Sequence, residues 1–122
     1  MKSFLLVFLG GGLGSGLRYL VTIVMNHYSK FLPAATFTVN MLGCLLIGLI
    51  LGYAQKGNTL TSNQTLLLAT GFCGGFTTFS AFANENLELI KNGEIFNFLF
   101  YSIGSVLIGI LAIFIGFYLT NR

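Results

Sequence analysis

Polar side chains recur at helical spacing inside three of the long apolar segments of this sequence. In the first segment, Ser15, Arg18 and Thr22 follow each other at intervals of three and four residues, which places them on one face of a helix. Buried polar groups are costly in lipid and often mark a pathway for an ion or a substrate. The pattern recurs twice, giving two further candidate stripes: Thr36, Asn40 and Cys44, and Asn97, Tyr101 and Ser105.

The chemistry of these stripes suits an anion better than a cation. They offer amide, hydroxyl, phenol and guanidinium groups, which donate hydrogen bonds, and no Asp or Glu lies among them. A single Ser or Thr can equally bond back to its own helix carbonyl. Asn40 has no such local partner at mid-segment, so we interpret it as functional. Arg18 has two interpretations: it reaches the lipid headgroups, or it attracts anions into a vestibule.

The segment 71–82, GFCGGFTTFSAF, is poor material for a regular helix although it lies inside an apolar run. Gly costs about 1 kcal/mol per helix position relative to Ala, and Thr is also a weak helix former. The Gly74-Gly75 pair, followed by Thr77-Thr78, therefore predicts an unwound segment. Unwound backbone persists in a membrane only where protein or a polar cavity satisfies it. The freed carbonyls near Gly74 and Thr77 are candidates for binding a small cation.

Two phenylalanines, Phe79 and Phe82, follow the predicted interruption on one helical face, with Ser80 close by. Because the edge of an aromatic ring is positive, these ring edges are candidates for lining an anion route. The alternative, which accounts for most of the 13 phenylalanines of the chain, is an ordinary core or lipid-facing side chain.

The elements that position these residues follow from composition. Of 122 residues, 55% are hydrophobic and only 7% are charged, whereas a soluble domain carries about 25% charged residues. About 20 consecutive apolar residues cross a bilayer. We therefore predict an all-α integral membrane protein with a single four-span domain, its third span broken at the centre. The predicted spans are 3–25, 33–54, 64–84 and 96–119, and NENLELIKNGE (84–94) is predicted as the last connection.

Other features exclude whole classes of function. The basic residues are scattered singly, which excludes a nucleic-acid-binding patch. Cys44, Cys73 and the lone His27 supply too few ligands for a zinc site, so both cysteines are interpreted as small core residues. The sequence shows no nucleophile paired with a base and no metal cluster, so we do not predict an enzyme.

The glycines of GGGLGSG (10–16) are interpreted as helix-packing residues. The Lys-Ser/Thr of a phosphate-binding loop does not follow them, and their spacing does not fit a dinucleotide-binding motif. Gly10–Gly14 and Gly12–Gly16 are both pairs of small residues four apart, which let helices approach closely in a membrane. Gly48–Gly52 is interpreted in the same way.

The basic residues are nearly balanced between the two sides of the predicted membrane domain. One side has Lys2, Lys56 and Arg122, and the other has Lys30 and Lys91, with Arg18 pointing toward it. Since Lys and Arg normally favour the cytoplasmic side, this near tie predicts insertion in both orientations. Two oppositely inserted copies would pair as an antiparallel homodimer. A single orientation set by a weaker signal is the alternative.

With these residues in view, the sequence resembles the CrcB/Fluc family of fluoride channels over essentially its whole length. The resemblance rests on GGLGSGLRY (11–19), TFTVNMLGCLLIG (36–48) and above all GFCGGFTTFSAF (71–82). It implies a dual-topology, antiparallel homodimer with two anion pores. It also implies passive export of toxic fluoride across the plasma membrane of a bacterium.

The resemblance further implies roles for individual residues. Backbone carbonyls of Gly74 and Thr77 from both subunits would hold a central structural sodium ion, and Arg18 would lie near a vestibule. The pore would be lined by two phenylalanines and four polar partners, namely Phe79, Phe82, Asn40, Ser80, Tyr101 and Ser105. Beyond Ser105 the polar track of the fourth span lapses, so the far end of the pore is not assigned.

Two rival functions remain at this stage. A small multidrug-resistance-type proton antiporter is also a short four-span, dual-topology dimer, but its mechanism needs a carboxylate in the first span, and residues 3–25 contain none. A non-transporting assembly subunit would leave the polar stripes and the weak third helix without a purpose.

Overall fold

The computed structural model describes residues 1–28, 33–57 and 60–121, and the regular structure within these ranges is helical. Lys30 and Arg122, which entered the charge comparison, lie outside the described residues. The helices, in chain order, are α1 (Lys2–Tyr28), α2 (Ala34–Gln55), α3 (Ser62–Thr65), a π-helical segment (Leu66–Cys73), α4 (Gly74–Phe76), α5 (Phe79–Lys91) and α6 (Ile95–Thr120).

Four stretches of the described residues are long and apolar enough to cross a membrane. They are Lys2–His27, Ala34–Gln55, Ser62–Lys91 and Ile95–Thr120. The prediction of an all-helical, multi-pass integral membrane protein is therefore confirmed. The third stretch contains α3, the π-helical segment, α4 and α5.

The last predicted connection is wrong over most of its length. Residues 84–91 of NENLELIKNGE continue α5, and only Asn92, Gly93 and Glu94 separate α5 from α6. The sequence before Gly93 holds good helix formers such as Leu, Glu and Lys, so nothing stops the helix earlier. Gly93 has a φ of 74°, a backbone conformation that glycine adopts readily just after a helix.

Close glycine contacts join α1 to the third span. A Cβ at Gly14 would lie 2.2 Å from the carbonyl oxygen of Phe72, and one at Gly10 would lie 2.3 Å from that of Leu67. The interpretation of Gly10–Gly14 as a packing pair agrees with these contacts. A Cβ at Gly12 or Gly16 meets no atom within 4 Å in the described chain, so the interpretation of this pair as helix-packing residues is not met within one chain and stays a prediction for contact with another.

Helices α2 and α6 approach each other just as closely. A Cβ at Gly48 would lie 2.2 Å from the carbonyl oxygen of Ile113, and one at Gly116 would lie 2.4 Å from that of Leu45. Gly52 faces the hydroxyl of Thr120, which bonds to carbonyls of its own helix. Small residues thus set the helix spacing here, as expected in a membrane, where apolar burial cannot draw helices together.

The helical backbone is interrupted between α4 and α5 at two residues, Thr77 and Thr78, which are here called the interruption. Thr77 and Thr78 are extended, with φ and ψ of −81° and 158° and of −148° and 115°. The Thr78 hydroxyl then accepts a hydrogen bond from the Ala81 N–H and caps α5.

The sequence prediction placed the unwound backbone at Gly74-Gly75, and this is wrong, since both glycines lie in helical turn α4. Gly75 is required for another reason. A Cβ at this position would lie 2.3 Å from the carbonyl oxygen of Gly11 on α1. The weak helix formers of this motif therefore serve close helix contact at Gly75 and non-helical backbone at Thr77 and Thr78.

Candidate functional site

The Asn40 side chain forms hydrogen bonds with the backbone of the interruption. Its side-chain oxygen accepts a hydrogen bond of 2.8 Å from the Thr78 N–H, and its Nδ2 donates one of 3.2 Å to the Thr78 carbonyl. One amide side chain thus pairs with both polar groups of an extended residue, as a neighbouring strand would. The asparagine in the middle of α2 therefore compensates for the hydrogen bonds that the third span lacks at Thr78.

Three carbonyls at the end of α4 lose their helical donors. In an unbroken helix the N–H groups of Thr78 and Ala81 would reach the carbonyls of Gly74 and Thr77. Here those N–H groups bond to the Asn40 side chain and to the Thr78 hydroxyl instead. The third carbonyl, that of Gly75, accepts hydrogen bonds from other groups.

Two side chains of α1 donate to the Gly75 carbonyl. Arg18 Nε lies 3.1 Å from this oxygen, and Ser15 Oγ lies 3.3 Å from it. The positive guanidinium therefore sits at the carboxyl end of the first half of the third span, where the helix dipole is negative. Arg18 is partly buried and bonds to the Gly75 carbonyl next to the interruption, so it does not only extend toward a membrane surface. Thr22, the third member of the α1 stripe, bonds back to the Arg18 carbonyl.

A cavity of about 270 Å³, here called the Phe79 cavity, opens directly beside the interruption. Its lining combines the interruption itself with residues of α2, α5 and α6: Asn40, Met41, Cys44, Thr77, Thr78, Phe79, Phe82, Ser105 and Val106. Ser80 is exposed beside it, with its hydroxyl 3.2 Å from that of Thr78. Four of the six predicted pore residues line this cavity, namely Asn40, Phe79, Phe82 and Ser105.

Ser105 is the unusual polar group of this cavity. It is only 8% exposed, and within the ranges that the structure describes its Oγ is the one buried side-chain oxygen or nitrogen without a hydrogen-bond partner. Buried hydroxyls in native proteins nearly always have a partner. The hydroxyl therefore has an unused donor and acceptor beside the Phe79 cavity.

Aromatic rings form a connected row along the same wall. The ring centroids of Phe79 and Phe82 are 5.9 Å apart, and those of Phe82 and Tyr101 are 5.1 Å apart. The interplanar angles of 46° and 57° are tilted, so ring edges rather than stacked faces are presented to their neighbours. Phe79 is 79% exposed in the single chain.

Glu85 lies at one end of this row and is held by two hydroxyls. Its carboxylate accepts a hydrogen bond from Tyr101 at 2.8 Å and a short one from Thr36. The phenol of Tyr101 is therefore directed to a carboxylate within the chain. At the start of α6, the Asn97 amide donates a hydrogen bond to the carboxylate of Glu94. Asn97 does not line the Phe79 cavity.

The comparison with known proteins is decisive for the family. Residues 5–117 match the family model described as CrcB-like protein, Camphor Resistance (CrcB). The chain belongs to the CrcB family. The match covers every residue that lines the Phe79 cavity.

Curated CrcB-family relatives align with the chain from end to end. A protein of Flavobacterium psychrophilum is 48% identical over 95% of this chain and 94% of its own length. One of Phocaeicola vulgatus is 47% identical over 99% and 100%, and one of Gloeothece citriformis is 48% identical over 100% and 99%. Each is named the fluoride-specific ion channel FluC. The CrcB family is thus represented by channels and not by enzymes.

Sequence reasoning did not place Glu85 beside the aromatic row of Phe79, Phe82 and Tyr101. It left two alternatives open for Glu85, that it caps a vestibule or that it is solvated, and favoured the second. A signal was present: Glu85 follows Phe82 by three residues and so shares its helical face. Thr36 precedes Asn40 by four residues on α2, and Tyr101 precedes Ser105 by four on α6.

Metal-binding chemistry based on side chains is not indicated. Over the described ranges, no three residues among His, Cys, Asp and Glu cluster as ligands. Cys73 is 2% exposed and Cys44 is partly buried, and both are free thiols.

Proposed function

We propose that this protein is a fluoride-selective passive ion channel that exports fluoride from a bacterial cytoplasm. It would work as an antiparallel homodimer with two pores and a structural sodium ion. The names of the FluC relatives support fluoride as the ion. The observation that carries the assignment within this chain is the unpartnered Ser105 hydroxyl beside the Phe79 cavity.

The Ser105 hydroxyl is suited to a small anion. A hydroxyl can donate to fluoride, and no carboxylate or lysine lines the Phe79 cavity to repel or trap the ion. A fully buried donor without a partner has lost its hydration, which costs about 1–3 kcal/mol. A passing fluoride would replace that lost partner. The donor therefore offsets part of the dehydration of the ion without binding it tightly.

The amino end of α5 adds a second favourable interaction. This helix has 13 residues and begins at Phe79, on the wall of the cavity. The N–H groups of its first turn point toward the interruption, and the positive end of the helix dipole favours a negative charge there. The tilted rings of Phe79 and Phe82 present partly positive edges in the same region. Donors and ring edges together favour a small anion over a large one, because the route is narrow.

The backbone of the interruption fits a sodium ion. Hard cations prefer oxygen ligands, and the carbonyls of Gly74 and Thr77 have both lost their helical donors to Asn40 and Thr78. Both residues line one further cavity of about 250 Å³. Two carbonyls from each of two antiparallel copies would provide four oxygens. When bound, the ion would hold the two interruptions together; it would take no part in moving fluoride.

An antiparallel pair also accounts for features of the isolated chain. Phe79 lines the cavity yet is 79% exposed, and a second copy packed against it would close the route around this ring. The glycine face at Gly12 and Gly16 is open within the chain, which leaves room for another helix. The near balance of basic residues allows both orientations in one membrane.

Efflux from liposomes tests the proposed function. Purified protein would be reconstituted into liposomes loaded with fluoride or chloride, and release would be followed with ion-selective electrodes. We expect rapid fluoride release, with chloride release at the level of protein-free liposomes. Because passive fluoride release carries charge, a protonophore that relieves the resulting membrane potential should sustain or speed the release, whereas it would abolish transport driven by a proton gradient. Equal rates for both anions, or no fluoride release, would contradict the proposal.

A further inference from the structure

We propose that Asn86 is a positioning residue that fixes the Phe82 ring against α6 and thereby sets the anion selectivity of the Phe79 cavity. This inference rests on the proposed function. Asn86 does not line the cavity, and nothing in its sequence position marks it out. Its role follows from what it bonds to and from what those partners carry.

Asn86 is buried within an otherwise exposed or half-buried helix. It is 7% exposed, and it is the one buried residue of α5. Both ends of its amide are used. Nδ2 donates to the Phe82 carbonyl at 2.9 Å, and Oδ1 accepts from the Ser102 hydroxyl on α6 at 2.7 Å.

The two bonds connect the residues that form the aromatic wall. Phe82 supplies the carbonyl that Asn86 contacts, and its ring lies 5.1 Å from that of Tyr101. Tyr101 is the neighbour of Ser102 in α6. A single amide therefore joins the turn of α5 that carries Phe82 to the turn of α6 that carries Tyr101.

Such a connection matters because α5 is a short helix with a non-helical segment at each end. It begins after the extended Thr77 and Thr78 and ends before Gly93. In a membrane, helices are held against one another by close packing and by interhelical hydrogen bonds, not by apolar burial. Glu85 also joins α5 to Thr36 of α2 and to Tyr101 of α6, but among the described residues only the Asn86 amide bonds both to α6 and to the α5 backbone at Phe82.

A small rotation of α5 would move the Phe82 ring and change the width of the Phe79 cavity. Widening lets a larger anion pass, and it separates the ring edge from a small one. Loss of the Asn86 connection should thus slow fluoride and admit chloride. A purely structural role would lower the number of working channels and leave the ratio of the two rates unchanged.

The test compares fluoride and chloride efflux from liposomes for wild type, Asn86→Ala, Ser102→Ala and the double variant. Asn84→Ala is the matched control, because Asn84 is an exposed asparagine of the same helix. We expect each single variant to slow fluoride roughly threefold or more, the factor that a typical interhelical hydrogen bond in a membrane represents. The fluoride-to-chloride ratio should fall in both, and the double variant should be no slower than Asn86→Ala. Ser102→Thr, which keeps the hydroxyl, should retain the wild-type ratio.

The possible failures are distinguishable. Absence of fluoride efflux in the wild type would overturn the proposed function itself. A conducting wild type with an unchanged anion ratio in both single variants, or additive losses in the double variant, would overturn the role of Asn86. If Asn86→Ala does not elute from size exclusion as the wild type does, Ser102→Ala decides the matter, since it removes only the bond between the helices.

Discussion

At the scale of single residues, several polar side chains of the spans bond to backbone groups, whereas one buried hydroxyl, that of Ser105, has no partner among the described residues. The Asn40 side chain pairs with the Thr78 backbone, and the Thr78 hydroxyl caps α5. Ser15 and Arg18 donate to the Gly75 carbonyl at the end of α4. Ser105 bonds to nothing among the described residues. The polar stripes therefore contain side chains that bond to the backbone and one that does not, and the hydrogen-bond pattern is what singles out Ser105 as the residue proposed to face the ion.

Replacing Ser105 tests the ion-facing role. Ser105→Ala removes the free hydroxyl without breaking a bond within the chain, so we expect the fold to be retained and fluoride efflux to fall roughly tenfold, as for loss of about 1.4 kcal/mol of ion stabilisation. Efflux from liposomes and thermal unfolding in detergent would measure the two effects. Thr22→Ala is the control, because the Thr22 hydroxyl is already bonded to the Arg18 carbonyl. Equal efflux in the two variants would remove Ser105 from the pore.

Replacing Asn40 should have the opposite balance. Asn40→Ala leaves both the N–H and the carbonyl of Thr78 unpaired, and each unsatisfied buried group costs about 1–3 kcal/mol. We expect a clear drop in the thermal unfolding midpoint along with loss of efflux, whereas Asn26→Ala, at an exposed position of α1, should change neither. Asn40→Asp keeps an acceptor for the Thr78 N–H but places a carboxylate on the wall of the Phe79 cavity, so efflux should be lost in this variant as well. A stable but non-conducting Asn40→Ala protein would show that Asn40 acts on the ion and not on the backbone.

At the scale of elements, the sequence predicts the helices well and their internal detail poorly. Apolar length is a local property, so four spans follow from composition and hydropathy alone. The position of the interruption is not local. Gly74 and Gly75 are weak helix formers, yet contact with Gly11 holds Gly75 in a helical turn, while Asn40, 38 residues away, compensates the backbone of Thr78. Glu85 was missed for the same reason, because both of its hydroxyl partners come from other helices.

The packing of α1 against the third span leads to a prediction with a control in the same helix. Gly14→Ala would place a Cβ 2.2 Å from the Phe72 carbonyl oxygen, whereas Gly12→Ala would meet nothing within 4 Å in the chain. Overpacking of this kind typically costs about 1–3 kcal/mol. We expect Gly14→Ala to lower the thermal unfolding midpoint, or the yield of folded protein, and Gly12→Ala to leave the folding of the single chain intact. Similar unfolding midpoints for the two variants would contradict the helix contact described here.

At the scale of the whole molecule, one chain does not enclose a route across the membrane. The Phe79 cavity is bounded by α2, α5 and α6 and by the interruption, and its most prominent ring, Phe79, faces outward. Two carbonyls of one chain, those of Gly74 and Thr77, would likewise supply only part of the coordination shell of the proposed sodium ion. A second copy related by a two-fold axis in the membrane plane would complete both features at once, which requires half of the chains to insert in each orientation.

Charge redistribution tests this requirement directly. Lys91→Gln combined with Gln55→Lys moves positive charge toward the side of the N-terminus, and Lys2→Gln combined with Lys56→Gln moves it away, so each pair of substitutions should favour one orientation. The exposed Lys91–Glu88 ion pair lost in the first variant contributes little to stability. We expect either variant alone to give little fluoride efflux from cells and the two expressed together to restore it. The accessibility of a C-terminal tag would confirm the orientation of each. If each variant conducts as well alone as in combination, with its tag on one side only, the antiparallel dimer is excluded.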